Sequence, residues 1–215
     1  MTAPLPGRVV AGLRGPADVA DLAAFCARVL RLDPHGLVRL RQAEDRLAAY
    51  SRVLEVLVSR TVHSGQPGRL DRTLSAAELL ATLEGGAEAQ PRDNEWRGTL
   101  PPATGWRRLD VVPVAAIHAA VRAGMATFEA VRSRPDASAV GESLLEHEAL
   151  TVTGGDQRAV LPLRVLAAAW RMGFLGAEPA QAGTGCAVSV AGSWARLAAP
   201  NGSAYHRTTP GIALR

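Results

Sequence analysis

LPLRVLAAAWRMGFLGAEPAQAGTGCAVSVAGSWARLAAPNGSAY, residues 161–205, sets a helix directly before a meander of strands. From Leu161 to Phe174 apolar side chains fall on nearly every side of the helical projection. A helix with no wet face belongs in the middle of a core, and Trp170 is expected inside it. Behind it, Ala187–Val190, Ser193–Ala199 and Ala204–Thr208 read as short strands, with turn residues between them. Strands that follow one another this closely pair antiparallel, and the helices are not interleaved with them one for one. The fold class expected is therefore α+β, not a doubly wound sheet.

The last hairpin allows two registers. If Asn201-Gly202 forms a type I′ turn, Arg196 faces Arg207, and like charges stand opposed unless an anion lies between them. If Pro200-Asn201 fills the centre of a type I turn and Gly202 sits in a bulge, Leu197 faces Tyr205 and Arg196 faces His206. The fixed φ of proline favours the bulged form.

Upstream, Pro113 opens a helix striped by Ile117, Val121, Gly124, Phe128 and Val131, with Gly124 marking close packing and His118 beside the stripe on the helix surface. Ser143-Leu144-Leu145-Glu146 has the form of a capping box before a strand at Leu150–Thr153, and Gly154-Gly155-Asp156 turns the chain. Glu146-His147-Glu148 is the one dense titratable cluster, a weak candidate for a base or a small-molecule site. Neighbouring helical residues point about 100° apart, and helical chelation needs i, i+4 spacing, so a solvated helix end is the plainer reading and no metal is expected.

Residues 85–105, GGAEAQPRDNEWRGTLPPATG, carry no periodicity and read as a Pro/Gly-rich strap between an N-terminal lobe (1–84) and a C-terminal lobe (106–215). Trp96 and Trp106 flank its second half as surface anchors. In the first lobe, Pro16 starts a helix carrying Val19, Leu22, Cys26, Val29 and Leu30, which Asp33-Pro34-His35-Gly36 ends. Leu37–Arg41 and Arg46–Arg52 read as strands about a turn at Ala43-Glu44-Asp45, Val53–Val62 as a longer strand, and Ser75-Ala76-Ala77-Glu78 as a capping box opening a helix to Leu83. Each lobe thus holds a helix followed by antiparallel strands, the second being built round its buried helix. Arg39, Arg41, Arg46, Arg52 and Arg60 cluster on the strands of the first lobe. Arginine suits phosphate, so Arg39 and Arg41, with Arg196 and Arg207, are candidate anion-binding residues. Glu44, Asp45 and Glu55 lie among the first group, and a single-strand reader would need more stacking aromatics than Tyr50.

Composition excludes more than it suggests. All 24 cationic side chains are arginine, so Schiff-base lysines, Ser–Lys dyads and Walker loops are absent. The pI of about 10.0 accompanies a net charge of only +4. That pI rests on Cys26, Cys186, Tyr50 and Tyr205, the side chains that titrate between neutrality and pH 10, and not on a dense positive field. The two cysteines are far apart and in apolar surroundings, as buried thiols of a reducing cytoplasm would be. Met1–Arg14 lacks the apolar core and cleavage pattern of a secretion signal, and no stretch is long enough to span a bilayer. Gly183-Thr184-Gly185 precedes a strand, whereas a dinucleotide loop follows one, so no cofactor is expected.

The stretches LLEHEALTV (144–152), LPLRVLAAAWRMGFLG (161–176) and VSVAGSWARLAAPNGSAY (188–205) resemble an uncharacterised family of actinobacterial proteins, over most of the second half and more loosely the first. The resemblance implies no established activity, so no functional residue is carried over by it. The reading that remains is a cytoplasmic, non-catalytic interaction or scaffolding protein, with a protein partner or its own copy as ligand and without nucleic acid or membrane. Its rivals are a winged-helix-like DNA-binding regulator, reading with Leu161–Phe174, and a small-molecule enzyme near His147.

Overall fold

The computed structural model describes residues 12–178 and 183–207. Most of Met1–Arg14, the final strand residue Thr208 and the end of the C-terminal lobe lie outside them. The chain divides into two compact units, Met1–Thr99 and Leu100–Arg215, both mixed α and antiparallel β.

In the first unit, helix α1 (Pro16–Leu32) begins with proline in its first turn and buries Leu22, Phe25, Cys26 and Val29. It stops where Gly36 passes under Val29, close enough that a Cβ there would lie 2.5 Å from Val29 Cγ1. The next strand is longer than expected. Strand β1 (Leu37–Val53) runs straight through Ala43-Glu44-Asp45 and pairs along its length with β2 (Val56–Ser75), from Leu37 opposite Ser75 to Val53 opposite Val56. The acids form a bulge, with Glu44 at φ 56°, and the true turn is Leu54-Glu55, at φ 51° and 62°. Both central residues are left-handed, which suits the twist of a two-residue hairpin, but the usual Asn-Gly signal is absent. The Gln42 amide ties the bulge, donating to the Glu44 carbonyl, the Ser64 hydroxyl and the Gln66 carbonyl at 2.9, 3.0 and 2.8 Å.

Helix α2 (Ala76–Leu83) forms as expected, yet Ser75 makes no capping bond. Glu78, the residue meant to close the box, instead accepts from the Gln90 N–H and the Arg92 guanidinium. Within the strap, a 3-10 turn (Asp93–Glu95) is tied to β2: Arg92 N–H donates to the Thr73 carbonyl, and Thr73 N–H to the Asp93 carboxylate.

In the second unit, strand β3 (Arg107–Pro113) precedes helix α3 (Val114–Glu129) and helix α4 (Ala137–Glu146). Then come the hairpin of β4 (Glu148–Gly154) with β5 (Gln157–Pro162), helix α5 (Leu163–Arg171), and the strands β6 (Gly185–Ala191), β7 (Trp194–Ala199) and β8 (Gly202–Arg207). Within this unit the strand order is β8-β7-β6-β3, all antiparallel. Gly124 is where α3 meets α5: a Cβ on it would lie 2.4 Å from Leu163 Cδ2.

Several local expectations are corrected. Ser143 lies in the last turn of α4 and caps nothing; the helix starts behind Asp136, whose carboxylate is held by Arg134. Leu161 and Pro162 end strand β5, so α5 starts later than its apolar run. It buries Leu163, Val165, Leu166, Ala168 and Ala169, but Trp170 is only half-buried, because the residues that fill the core beyond the helix are Met172, Phe174 and Leu175. Phe128 at the end of the α3 stripe is exposed, its ring lying against Gly141.

Neither expected register of the last hairpin forms. Pro200-Asn201 is a two-residue turn, Ala199 faces Gly202, and Arg196 faces Tyr205. The cause is long-range. Asn201 N–H donates to the Phe174 carbonyl at 3.0 Å, and the Phe174 ring occupies the place of a Gly202 Cβ, 2.5 Å away. The segment after α5 thus pins the turn.

Candidate functional site

Five arginines of the first unit are spent on acids. Arg39 forks the Asp71 carboxylate at 2.7 and 2.9 Å and lies 5.9 Å above the Trp96 ring. Arg60 pairs with Asp21, Arg52 with Glu55, Arg72 with Asp93, and Arg92 with Glu78 and Glu95. The Arg92 guanidinium holds the Glu78 carboxyl below its usual range. Arg41 and Arg46 are exposed on the outward face of β1, opposite Asp71 and His63.

Glu146, His147 and Glu148 are not gathered into one site. Glu146 ends α4 and, with Glu142, takes the guanidinium of Arg164; His147 is exposed at the cap; Glu148 starts β4, near Arg158. A pocket of about 200 Å³ in this unit is lined by Gln157, Arg158, Val190 and Trp194, and His147 is not part of it. Among the described residues no group of His, Cys, Asp and Glu is arranged to hold a metal. Burial pushes the Cys26 thiol up to about 12 and the Cys186 thiol up to about 11, so both stay protonated and poor nucleophiles at neutral pH.

His118 is not on the helix surface but 3% exposed, because the buried stripe of α3 takes in Val114, Ile117, His118 and Val121. Neither ring nitrogen has a hydrogen-bond partner among the described residues; Nδ1 is 3.5 Å from Glu178, which itself pairs with Arg122. Burial, and after it the Arg122 charge, hold the ring's pKa below 6.5.

The most organised polar surface lies on the β8-β7-β6-β3 sheet. Strand pairing sets Arg108, Ser189, Arg196 and Tyr205 in one row, opposite one another on successive strands and therefore on one face. The same face carries Trp194 and Arg207, two positions along. Trp106, whose indole N–H donates to the Pro102 carbonyl at 2.8 Å, stacks with Arg196 (4.5 Å) and tilts against Tyr205 (5.9 Å). Trp194 meets Tyr205 edge-on at 6.5 Å and carries Arg207 at 5.8 Å. Tyr205 and Ser189 are buried, 8% and 3% exposed, whereas Arg108 and Arg207 are exposed. Arg196 and Arg207 therefore sit on indole rings, and not opposite each other. Sequence reasoning missed Arg108, Trp106 and Tyr205; the period-two pattern Trp194-x-Arg196 and Tyr205-x-Arg207 was the available signal.

Residues 101–211 match the family model described as "Domain of unknown function (DUF8185)", and residues 10–102 match "Domain of unknown function (DUF8010)". The first match spans more than half of the chain, and the chain belongs to that family. No curated protein matches it. Among solved structures it is similar to the DNA polymerase sliding clamp from Bacillus subtilis, at TM-score 0.53 and 11% identity over 92% of this chain and 64% of that one. It is also similar to Caulobacter crescentus pol III beta (TM-score 0.51, 12% identity, 90% and 64%) and to the Helicobacter pylori beta clamp in complex with carprofen (0.51, 10%, 90% and 64%). At these identities the likeness is one of fold, and the chain spans 64% of the length of those clamps. Among the described residues no helix is long and apolar enough to cross a membrane.

Proposed function

We propose that this chain is a non-catalytic interaction or scaffolding protein of the cytoplasm, holding a protein partner or a second copy of itself. One observation carries the reading. The acid–base cluster at 146–148 is dispersed, while arginine and aromatic side chains from three strands and the segment before β3 are assembled into one ordered face. Arginine and tryptophan are the residues that anchor protein interfaces. The proteins sharing the fold are described as clamps, a word for attachment and not for chemistry. Native mass spectrometry of the purified chain tests it: an oligomer, or a retained protein partner, supports the reading. A strict monomer that turns over a small molecule, with loss of turnover in His147→Ala, overturns it.

DNA binding is the second reading, favoured by the DNA polymerase clamps among the fold neighbours. Against the winged-helix form of it, the apolar surface of α5 is buried and Arg164 is engaged by Glu142 and Glu146. With a net charge of only +4, the chain is expected to bind duplex DNA weaker than micromolar in about 150 mM salt. Fluorescence anisotropy measures this directly, and tight, salt-sensitive binding would promote the second reading over the first.

A further inference from the structure

We infer that Arg196 and Arg108, on either side of Ser189, form a carboxylate-binding site through which the second unit docks an acidic segment of a protein partner. Arg196 is the central observation. Its guanidinium lies 4.5 Å from the Trp106 ring, its Nε is buried, and that Nε has no acceptor among the described residues. A dehydrated donor on a permanently charged group is costly, and folded proteins rarely leave one unmatched. The other arginine with a buried, unmatched Nε, Arg92, answers its charge through Glu78 and Glu95; Arg196 has no ion-pair partner among the described residues. An indole covers a face of a guanidinium and not its N–H edge, and that edge is what a carboxylate meets in bidentate fashion.

Arg108 supplies the second charge. It shares the row with Ser189 and Arg196, two strands away or about 10 Å between backbones, a gap two arginine side chains can close. It is exposed and makes no ion pair among the described residues. The nearest acid in sequence, Asp110, accepts from the Val111 N–H, beyond the bulge that breaks the register after Arg108.

An acidic peptide fits better than a nucleic acid. Arg196 and Tyr205 already lie against Trp106, and Arg207 and Tyr205 against Trp194, so neither indole offers an open platform for a base. What the face presents is N–H donors without stacking surface. The proposal rests on the interaction reading and names the chemistry of the partner.

The test is calorimetric titration of the full chain with a capped hexaglutamate peptide, at low and at physiological salt. Inorganic phosphate and a single-stranded oligothymidine serve as parallel probes, and native mass spectrometry reports assembly separately. Wild type is expected to bind the peptide with a change in tryptophan emission, and Arg196→Gln and Arg108→Gln each to weaken it about tenfold. Arg97→Gln, at an exposed arginine of the first unit, should leave binding unchanged. Arg108 is exposed, so its variant keeps the test alive if Arg196→Gln unfolds. No binding by wild type, or binding by both variants as tight as that of wild type, overturns the site. So does phosphate or oligothymidine binding as tightly as the peptide with the same arginine dependence. Any of these results beside an intact oligomer removes the site alone, whereas a monomer with turnover removes the interaction reading.

Discussion

The hairpin β1–β2 of the first unit and the hairpin β7–β8 of the second both carry arginine at alternate outward positions, and they settle those charges differently. In the first, Arg39 is matched by Asp71 across the ladder and Arg52 by Glu55 at the turn. In the second, Arg196 and Arg207 lie on indole rings. A carboxylate partner consumes the donor edge of a guanidinium, and an aromatic partner covers only its face. Arg39 and Arg52 are therefore closed to ligands while Arg196 keeps its donor edge, a difference that net charge alone cannot reveal.

The sharpest way to break the contrast is to disturb the turn that aligns the second hairpin. Gly202→Ala would drive a methyl into the Phe174 ring, 2.5 Å from the nearest carbon, and should cost about 1–3 kcal/mol in chemical denaturation. A loss below about 0.5 kcal/mol would mean that Phe174 does not set the register.

Acid should separate the two units next. Burial holds His118, beside Arg122 and Glu178, below its ordinary 6.5, and holds His206 down in the same way, with Glu146 opposing. Both rings stay neutral in the fold while the unfolded chain takes up protons below about 6.5, so the second unit's stability is full above that pH and declines beneath it. In the first unit the lowered group is Glu78, whose contribution is present above about 4.5 and declines only below that pH. Unfolding followed from pH 8 to 5 should show a loss that His118→Leu reduces; an unchanged acid limb in that variant would remove His118 as its source.

The smallest effect distinguishes the two kinds of arginine partner. Asp71→Ala should cost about 0.5–1 kcal/mol at low salt and nearly nothing near 1 M salt, since Arg39 and Asp71 are both partly exposed. Arg196→Ala should cost about 0.5–1 kcal/mol through the lost indole contact, with little dependence on salt. Equal salt sensitivity in the two variants would erase the distinction.

What could be read from the sequence follows from how local each signal is. Helix α1, with its proline start and Asp33–Gly36 stop, and the three strands of the meander are set by neighbouring residues, and they form as expected. The β1–β2 turn was illegible because Leu54-Glu55 adopts left-handed φ without Asn or Gly, while Glu44-Asp45 imitates a turn and makes a bulge. The β7–β8 register depends on Phe174, far behind it in sequence. Arg196 and Arg207 were visible as cations, but Trp106, which turns Arg196 into a site, is ninety residues away and in another element. His118 looked like a surface residue because one polar name on a wide buried stripe reads as its edge.

The bulge at Glu44 has one more consequence. Before it, the residues of β1 that face the helix are even-numbered, Val38 and Leu40; after it they are odd-numbered, Leu47, Ala49, Ser51 and Val53. The buried apolar residues of strand β2 keep one parity, Val56, Val58, Val62 and Leu74. The irregularity is thus a phase correction: Asp45 on β1 stands against Ser64 to Pro67 on β2, and this odd difference of three brings two alternating patterns written out of step onto one face. Removing Asp45 alone would put the two halves in conflict, forcing either Arg46 and Tyr50 inward or Val38 and Leu40 outward, although the deleted side chain itself is exposed.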